Sequence, residues 1–215
     1  MRAIIVANGY VAKGETAQHL VQPNDCIIAA DGGAVIALRL GLEPQMVIGD
    51  LDSLPADVRT RLEERGCQFL EHPARKDETD TELAIRYAVE RGAQEIVLLG
   101  AIGGRLDHTL ANVLLLGMPE LAGIRARIVA GNTDTWLIRS GGELEIHGQP
   151  GDTVTLLALG QDAVGITTAG LEWALDGDTL LFGPARGVSN FMTAETARVA
   201  LREGLLLALQ IRGPQ

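Results

Sequence analysis

The stretch CIIAADGG at residues 26–33 indicates the fold of the N-terminal part of the chain. Its first five residues form an uninterrupted run of apolar or small side chains, which is typical of a parallel strand buried on both faces. An Asp-Gly-Gly turn follows, and helical spacing of apolar residues begins at Ala34. Similar short runs occur at residues 3–7, 46–48, 95–99 and 127–130.

Stretches with helical spacing separate these strands, at residues 34–40, 55–65, 79–91 and 106–116. Regular alternation of strand and helix predicts an α/β domain with a doubly wound, Rossmann-like parallel sheet. We assign this domain to residues 1–132.

Helical spacing largely disappears after residue 133, and segments punctuated by glycine alternate between apolar and polar residues. Three such segments carry Leu144 and Ile146, Val154 and Leu156, and Leu171, Trp173 and Leu175. Residues 197–201 and 205–211, joined through Gly204, have the pattern of a hairpin. We therefore predict a C-terminal β-sandwich over residues 133–215.

Composition and charge restrict the partners of the chain. Its 215 residues include 18 basic and 28 acidic side chains, giving a formal net charge of -10. This charge repels nucleic acid and anionic membranes, whereas a compact anion can still bind through a divalent metal. Cys26 and Cys67 lack metal-ligand spacing. With no signal peptide and no apolar stretch of membrane-spanning length, a cytoplasmic location is expected.

Acidic side chains follow two of the predicted strands, at Asp31, Asp50 and Asp52. In open α/β sheets ligands bind beyond the carboxyl ends of the strands, so we expect these carboxylates to meet there. Oxygen ligands without sulfur favour Mg²⁺. Turn formation or helix capping by Asp31 is the alternative reading.

A second charged segment, residues 75–82, contains a predicted helix start. Thr79 and Glu82 fit a capping box, and backbone N–H groups at a helix start also bind phosphate. Capping does not explain Lys76 or the excess of acids. We expect Lys76 to contact a phosphate, and Asp77 and Asp80 to hold or orient a metal.

A third segment, residues 100–108, follows the strand at 95–99 and opens another helix. Its glycines permit close approach to a ligand, and Arg105 suits phosphate oxygens. Helix capping by Asp107 and simple packing of His108 remain equally acceptable. The segment matches neither the P-loop nor the dinucleotide pattern, and the chain has no GxSxG elbow.

The motifs ADGGA (30–34), GDLDS (49–53), KDETD (76–80) and GGRLDH (103–108), in this order, resemble those of thiamine pyrophosphokinases. The resemblance implies transfer of diphosphate from ATP to thiamine, giving AMP. It implies that residues 1–132 form the catalytic domain, which binds ATP and Mg²⁺, and that residues 133–215 form the thiamine-binding domain. It also implies Mg²⁺ as cofactor and a homodimer whose active sites lie at the subunit interface.

Roles for individual residues follow from the resemblance. Metal binding would involve Asp50, Asp52 and Asp77, and catalysis would also involve Lys76 and Asp80. Binding of ATP would involve Asp31, Gly32, Gly33, Thr79, Gly104, Arg105, Asp107 and His108. Thiamine would contact Trp173, Ser189 and Asn190.

The thiamine residues suit their proposed ligand chemically. An aromatic face such as that of Trp173 attracts a cationic thiazolium, and Ser189 and Asn190 offer hydrogen-bonding groups. Because Trp173 is in phase with Leu171 and Leu175, a place in the core is the alternative.

The mechanism expected from the resemblance is in-line attack of the thiamine hydroxyl on the β-phosphorus of ATP. Either Asp80 or Asp107 would accept the hydroxyl proton. A magnesium-dependent phosphatase, another nucleotide transferase and a binding module without turnover are the alternatives.

Overall fold

The structure is a computed structural model that describes residues 1–11 and 17–213. It divides into two compact units, Met1–Gly131 and Asn132–Gln215. Residues 214 and 215 of the predicted second domain lie outside the described residues.

The first unit contains a six-stranded parallel sheet, as the apolar runs predict. Its strands lie in the order β4-β3-β2-β1-β5-β6, and every neighbouring pair is parallel. The strands are β1 (Arg2–Val6), β2 (Cys26–Ala30), β3 (Met46–Gly49), β4 (Gln68–Glu71), β5 (Glu95–Leu99) and β6 (Arg125–Ala130). Only β4 was not expected, because this edge strand is largely exposed and lacks a continuous apolar run.

The four predicted helices are confirmed, each with bounds within one residue of the prediction. They are α1 (Gly33–Arg39), α2 (Ala56–Glu64), α3 (Asp80–Glu90) and α4 (Leu106–Leu115), and short 3₁₀ helices span Gln18–Leu20 and Pro119–Leu121. Thr79 caps α3 as expected, since its hydroxyl accepts a hydrogen bond from the Glu82 N–H at 3.2 Å. Among the described residues, no helix has the length and apolarity required to cross a membrane.

The second unit is a sandwich of two antiparallel sheets, as predicted. Its strands are β7 (Thr133–Arg139), β8 (Glu143–His147), β9 (Thr153–Ala158), β10 (Ala163–Ala169), β11 (Asp176–Leu180), β12 (Asn190–Phe191), β13 (Thr196–Glu203) and β14 (Leu205–Ile211). One sheet has the order β12-β9-β14-β7 and the other β11-β10-β13-β8. Ile146, Val154 and Leu156 are buried in the core of this unit, which confirms two of the three alternating segments.

The predicted hairpin at residues 197–211 is wrong, because its two strands belong to different sheets. Strand β13 pairs with β10 and β8, whereas β14 pairs with β7 and β9. A single residue, Gly204, joins them with φ +103°, and a Cβ there would lie 2.7 Å from the Asp162 carbonyl oxygen. Its left-handed backbone and tight surroundings let the chain pass directly from one sheet to the other.

The predicted strand through Leu171, Trp173 and Leu175 is also wrong. Leu171 forms an isolated bridge with Met192, Trp173 lies in a bend, and β11 begins only at Asp176. The alternating pattern therefore reflects a turn that buries Leu171 but leaves Trp173 56% exposed.

Candidate active site

A cleft of about 700 Å³ lies at the carboxyl ends of the parallel strands in the first unit. Strand order reverses between β1 and β5, and in α/β sheets ligands bind at such a switch point. Residues that follow β1, β2, β3 and β5 line the cleft, together with the start of α3 and one face of α4. The fold thus brings the loops that carry the predicted site residues to one place.

Asp31 occupies the bottom of this arrangement, directly after β2. Its backbone is left-handed, with φ +46°, and its N–H donates to the Ile48 carbonyl at 2.8 Å. The side chain is 8% exposed, and its Oδ1 is buried without a hydrogen-bond partner in the described structure. A buried oxygen without a partner is costly unless a ligand satisfies it.

The carboxylates of Asp31, Asp50 and Asp52 converge. Each can place an oxygen within 4.8 Å of the others, and their exposure increases from buried Asp31 to exposed Asp52. The turn after β3 shapes this cluster, because Asp50 Oδ1 accepts a hydrogen bond from the Asp52 N–H at 3.3 Å. Three carboxylates at this spacing repel one another, so the cluster has the chemistry of a divalent cation site.

Asp77 does not belong to this cluster, although it is one of the three predicted metal ligands. It is exposed in the bend before α3, and it does not line the cleft. The predicted meeting of Asp31 with Asp50 and Asp52 is confirmed, so the third carboxylate of the cluster is that of Asp31. The structure therefore groups the carboxylate at the end of β2 with the pair after β3, because these two strands are neighbours in the sheet.

Lys76, Thr79 and Asp80 line the cleft where α3 begins. Lys76 Nζ lies 2.7 Å from Asp80 Oδ1, and the two side chains form an ion pair. The angles of this contact are not those of a hydrogen bond, and neither atom has another hydrogen-bond partner among the described residues. A Cβ on Gly49 would lie 3.2 Å from Asp80 Cγ and 2.8 Å from Asp31 Cβ, so the end of β3 runs beside both aspartates. This lysine is a cation within the acidic cleft.

The segment after β5 contributes Gly104, Arg105 and His108 to the lining. Arg105 makes a two-point contact with Asp107, at 2.5 and 3.2 Å, on the exposed surface. Hydrogen bonding from Arg105, and then from the His108 backbone N–H, lowers the pKa of Asp107 to about 2. Asp107 itself does not line the cleft, and its carboxylate binds Arg105.

Gly32 and Gly33 do not line the cleft either. A Cβ on Gly32 would collide with the Asn8 amide, and one on Gly33 with the Val6 carbonyl. These glycines allow α1 to begin close to the end of β1, and their contact with a nucleotide stays a prediction.

Several cleft residues were not expected. Asn8, Gly9 and Tyr10 follow β1, Ser53 follows the aspartate pair, and Thr109 and Asn112 lie on α4. Asn8 follows an apolar strand just as Asp31 does, and this position is the signal in the sequence that indicates it.

The three predicted thiamine contacts lie in the second unit, close to one another. The Asn190 amide is buried and bonded to backbone, accepting from Trp173 N–H at 3.0 Å and donating to the Trp173 carbonyl at 2.7 Å. The Trp173 ring packs at a tilt against Phe191, with centroids 5.7 Å apart. Ser189 is exposed in a left-handed conformation, with φ +63°. Trp173 is thus presented to solvent, whereas Asn190 holds its backbone.

Comparison with known proteins shows similarity along most of the chain. A family described as "Thiamin pyrophosphokinase, catalytic domain" matches residues 17–128, and one described as "Thiamin pyrophosphokinase, vitamin B1 binding domain" matches residues 143–206. The chain is 26% identical to "Thiamine pyrophosphokinase" of Bacillus subtilis, covering 85% of this chain and 86% of the relative. It is 28% identical to "Thiamine pyrophosphokinase 1" of Arabidopsis thaliana, covering 86% and 78%.

Solved structures show the same fold. A thiamine pyrophosphokinase from Bacillus subtilis superimposes with a TM-score of 0.88 at 24% identity, covering all of both chains. A thiamin pyrophosphokinase family protein from Enterococcus faecalis gives 0.83 at 25% identity, again over both complete chains.

Proposed function

The chain belongs to the thiamin pyrophosphokinase family, and we propose that it transfers the diphosphate of ATP to the hydroxyl of thiamine, with Mg²⁺ bound by Asp31, Asp50 and Asp52. The observation that carries the assignment of the metal is the convergence of these carboxylates in the cleft at the switch point. Membership of the family supports an enzyme of this class and does not favour a binding module without turnover.

The residues present fit a hard divalent cation. They offer oxygen ligands without sulfur or imidazole, as Mg²⁺ prefers, and the buried Asp31 Oδ1 lacks any other partner among the described residues. When bound, Mg²⁺ would neutralise charge on the phosphate oxygens of ATP. Without a cation, the three aspartates would repel the triphosphate.

Positive groups around the cleft suit the phosphates. Lys76 is 13% exposed at its side chain, so desolvation strengthens its attraction for a phosphate oxygen. The N-terminus of α3 adds backbone N–H groups beyond the one that Thr79 caps. Arg105 offers its donors from the opposite loop, and we propose that it exchanges Asp107 for a phosphate when ATP binds.

For the proton of the thiamine hydroxyl we propose Asp80 rather than Asp107 as the acceptor. Asp107 does not line the cleft, whereas Asp80 does. The Lys76 ammonium beside Asp80 would then stabilise the nearby negative charge that develops as the hydroxyl attacks the β-phosphorus.

For thiamine we propose contact with Trp173 and Ser189. Trp173 presents an exposed ring, to which a cationic thiazolium is attracted. The buried Asn190 amide, whose three hydrogen bonds go to the backbone of Trp173 and Phe191, would act by positioning Trp173.

We further propose a homodimer with active sites at the subunit interface. Leu106, Leu110 and Leu114 recur along one face of α4 and are each more than half exposed. Large exposed apolar groups of this kind are typical of protein interfaces. Sedimentation velocity at micromolar concentration should give twice the 22.8 kDa of one chain. Leu110→Glu should yield the monomer, and a monomeric parent protein would contradict the proposal.

The reaction itself is tested by incubating the protein with ATP, Mg²⁺ and thiamine. We expect thiamine diphosphate and AMP in equal amounts, and no AMP when thiamine is omitted. Appearance of ADP with thiamine monophosphate, or of inorganic phosphate alone, would identify another transferase or a phosphatase and refute the proposal.

A further inference from the structure

A second cavity, of about 660 Å³, adjoins the cleft in the first unit. Its volume lies within the range typical of small-molecule sites, roughly 300–1,000 Å³. The lining comes from the loop after β1, the end of β5 and the loop after it, the end of β6, and the short helix Gln18–Leu20. Its side chains are largely apolar and include Val11, Leu20, Leu40, Leu99 and Val129.

A narrow ridge separates this cavity from the cleft. Tyr10, Gly100, Gly103 and Gly104 line both spaces. In the ridge the Tyr10 N–H donates to the Ile102 carbonyl at 2.9 Å, so the loops after β1 and β5 are joined backbone to backbone. A molecule with two chemically different ends can therefore occupy both spaces by crossing a wall composed largely of glycine.

The two spaces differ in chemistry. Aspartates, Lys76 and Arg105 line the cleft, whereas the described residues that line the second cavity include no Asp, Glu, Lys or Arg. The side chain of Tyr10 is 73% exposed and stands where the two spaces meet. Exposed aromatic rings bind planar groups by stacking, and bases have a π-face for this purpose.

We propose that the second cavity binds the nucleobase of ATP, with Tyr10 as a stacking surface, while the triphosphate crosses the ridge to the carboxylate cluster. This inference rests on the proposed function. A neutral planar base suits the apolar side chains that the described residues contribute to this cavity, whereas cationic thiamine would lose hydration there without gaining a carboxylate from any of those residues. The cavity and the cleft would then divide ATP between them, base on one side and phosphates on the other.

Filling the cavity tests this assignment. Ala130 lines only the second cavity, so Ala130→Phe should obstruct the base and leave the phosphate cleft intact. Ala122→Phe, on the exposed surface after Pro119–Leu121, is the matched control. Leu20→Trp is a second variant that should obstruct the cavity, and circular dichroism establishes that each variant is folded. Calorimetry measures the affinity for AMP. Inhibition assays measure the affinity for inorganic tripolyphosphate, which has the phosphates without the base.

We expect Ala130→Phe to weaken AMP binding and to raise the KM for ATP by about tenfold or more, the scale of a lost base-stacking contact. The inhibition constant of tripolyphosphate and the KM for thiamine should stay within about twofold of the values for the parent protein. Ala122→Phe should have the same values as the parent protein in all of these measurements. Unchanged AMP affinity in both folded obstructing variants would overturn the assignment, as would an equal loss of tripolyphosphate binding. If the parent protein formed no thiamine diphosphate, the proposed function would fail, but AMP calorimetry would still decide the occupant of the cavity.

Discussion

Asp31→Asn is the substitution that most directly tests the carboxylate cluster. Asparagine tolerates the left-handed backbone at this position, where φ is +46°, so the change removes a charge with little backbone strain. At the 4.8 Å limit that encloses the ligand oxygens, two unit charges repel by about 0.9 kcal/mol in water and about 3.5 kcal/mol at an effective dielectric constant of about 20. Asp31 is buried, so the relief per neighbouring carboxylate lies between these values.

The metal-free variant should therefore melt at a higher temperature than the parent protein. For a chain of this size each kcal/mol shifts the melting temperature by about 2–4 °C. Added Mg²⁺ should stabilise the parent protein and stabilise the variant much less, because one ligand is missing. Turnover should fall by about a hundredfold or more, the usual effect of removing one preorganised electrostatic group.

Thermal melts with and without Mg²⁺, together with AMP release, measure these effects. Asp77→Asn is the matched control, since it removes the same charge from an exposed position outside the cluster. It should leave both the Mg²⁺ response and turnover nearly unchanged. If Asp77→Asn abolished the Mg²⁺ response and Asp31→Asn retained it, the metal ligands would be those expected from the sequence and the reasoning from the structure would be refuted.

Three further predictions concern other parts of the molecule. Trp173→Ala should raise the KM for thiamine by about tenfold while leaving AMP binding unchanged, as steady-state kinetics and calorimetry would show; equal effects on both ligands would exclude a specific thiamine contact. Gly204→Ala should lower the free energy of unfolding, measured in urea, by about 2 kcal/mol or more. Gly66→Ala is the control and should lower it by less, because both glycines have a left-handed backbone but only Gly204 has a carbonyl within 3 Å of the added methyl. Asp107 should titrate near pH 2 by carbon NMR, since Arg105 depresses its pKa in the folded protein. The contribution of Asp107 to stability is present above its ordinary pKa of 3.8 and disappears as the pH falls through about 2. A midpoint near 3.8 would show that the pair with Arg105 does not form in solution.

Much of the first unit follows from local signals in the sequence. Continuous apolar runs have no solvated face, so they belong to a sheet covered on both sides. The start of α3 is marked by the cap at Thr79. Edge strand β4 was not predicted, because it is largely exposed and its sequence lacks a continuous run of apolar residues.

Turns in the second unit could not be predicted from local signals in the sequence. The apolar residues on either side of Gly204 suit a hairpin and a passage between sheets equally, because both bury alternate side chains. Only pairing with distant strands, β10 and β8 for one segment and β7 and β9 for the other, decides between them. Exposure of Trp173 is likewise set by the Asn190 amide, 17 residues away.

The sequence by itself determined the α/β and β-sandwich architecture, the family and the strand-end segments that carry the acidic residues. These features depend on local periodicity and on short motifs, which can be recognised within single segments of the sequence. The sequence also predicted that Asp31, Asp50 and Asp52 would meet at the ends of their strands. Only the tertiary structure placed Asp77 outside this cluster and created the apolar cavity beside the cleft. These two features depend on how closely separate loops approach one another, which is a property of the folded chain rather than of any segment within it.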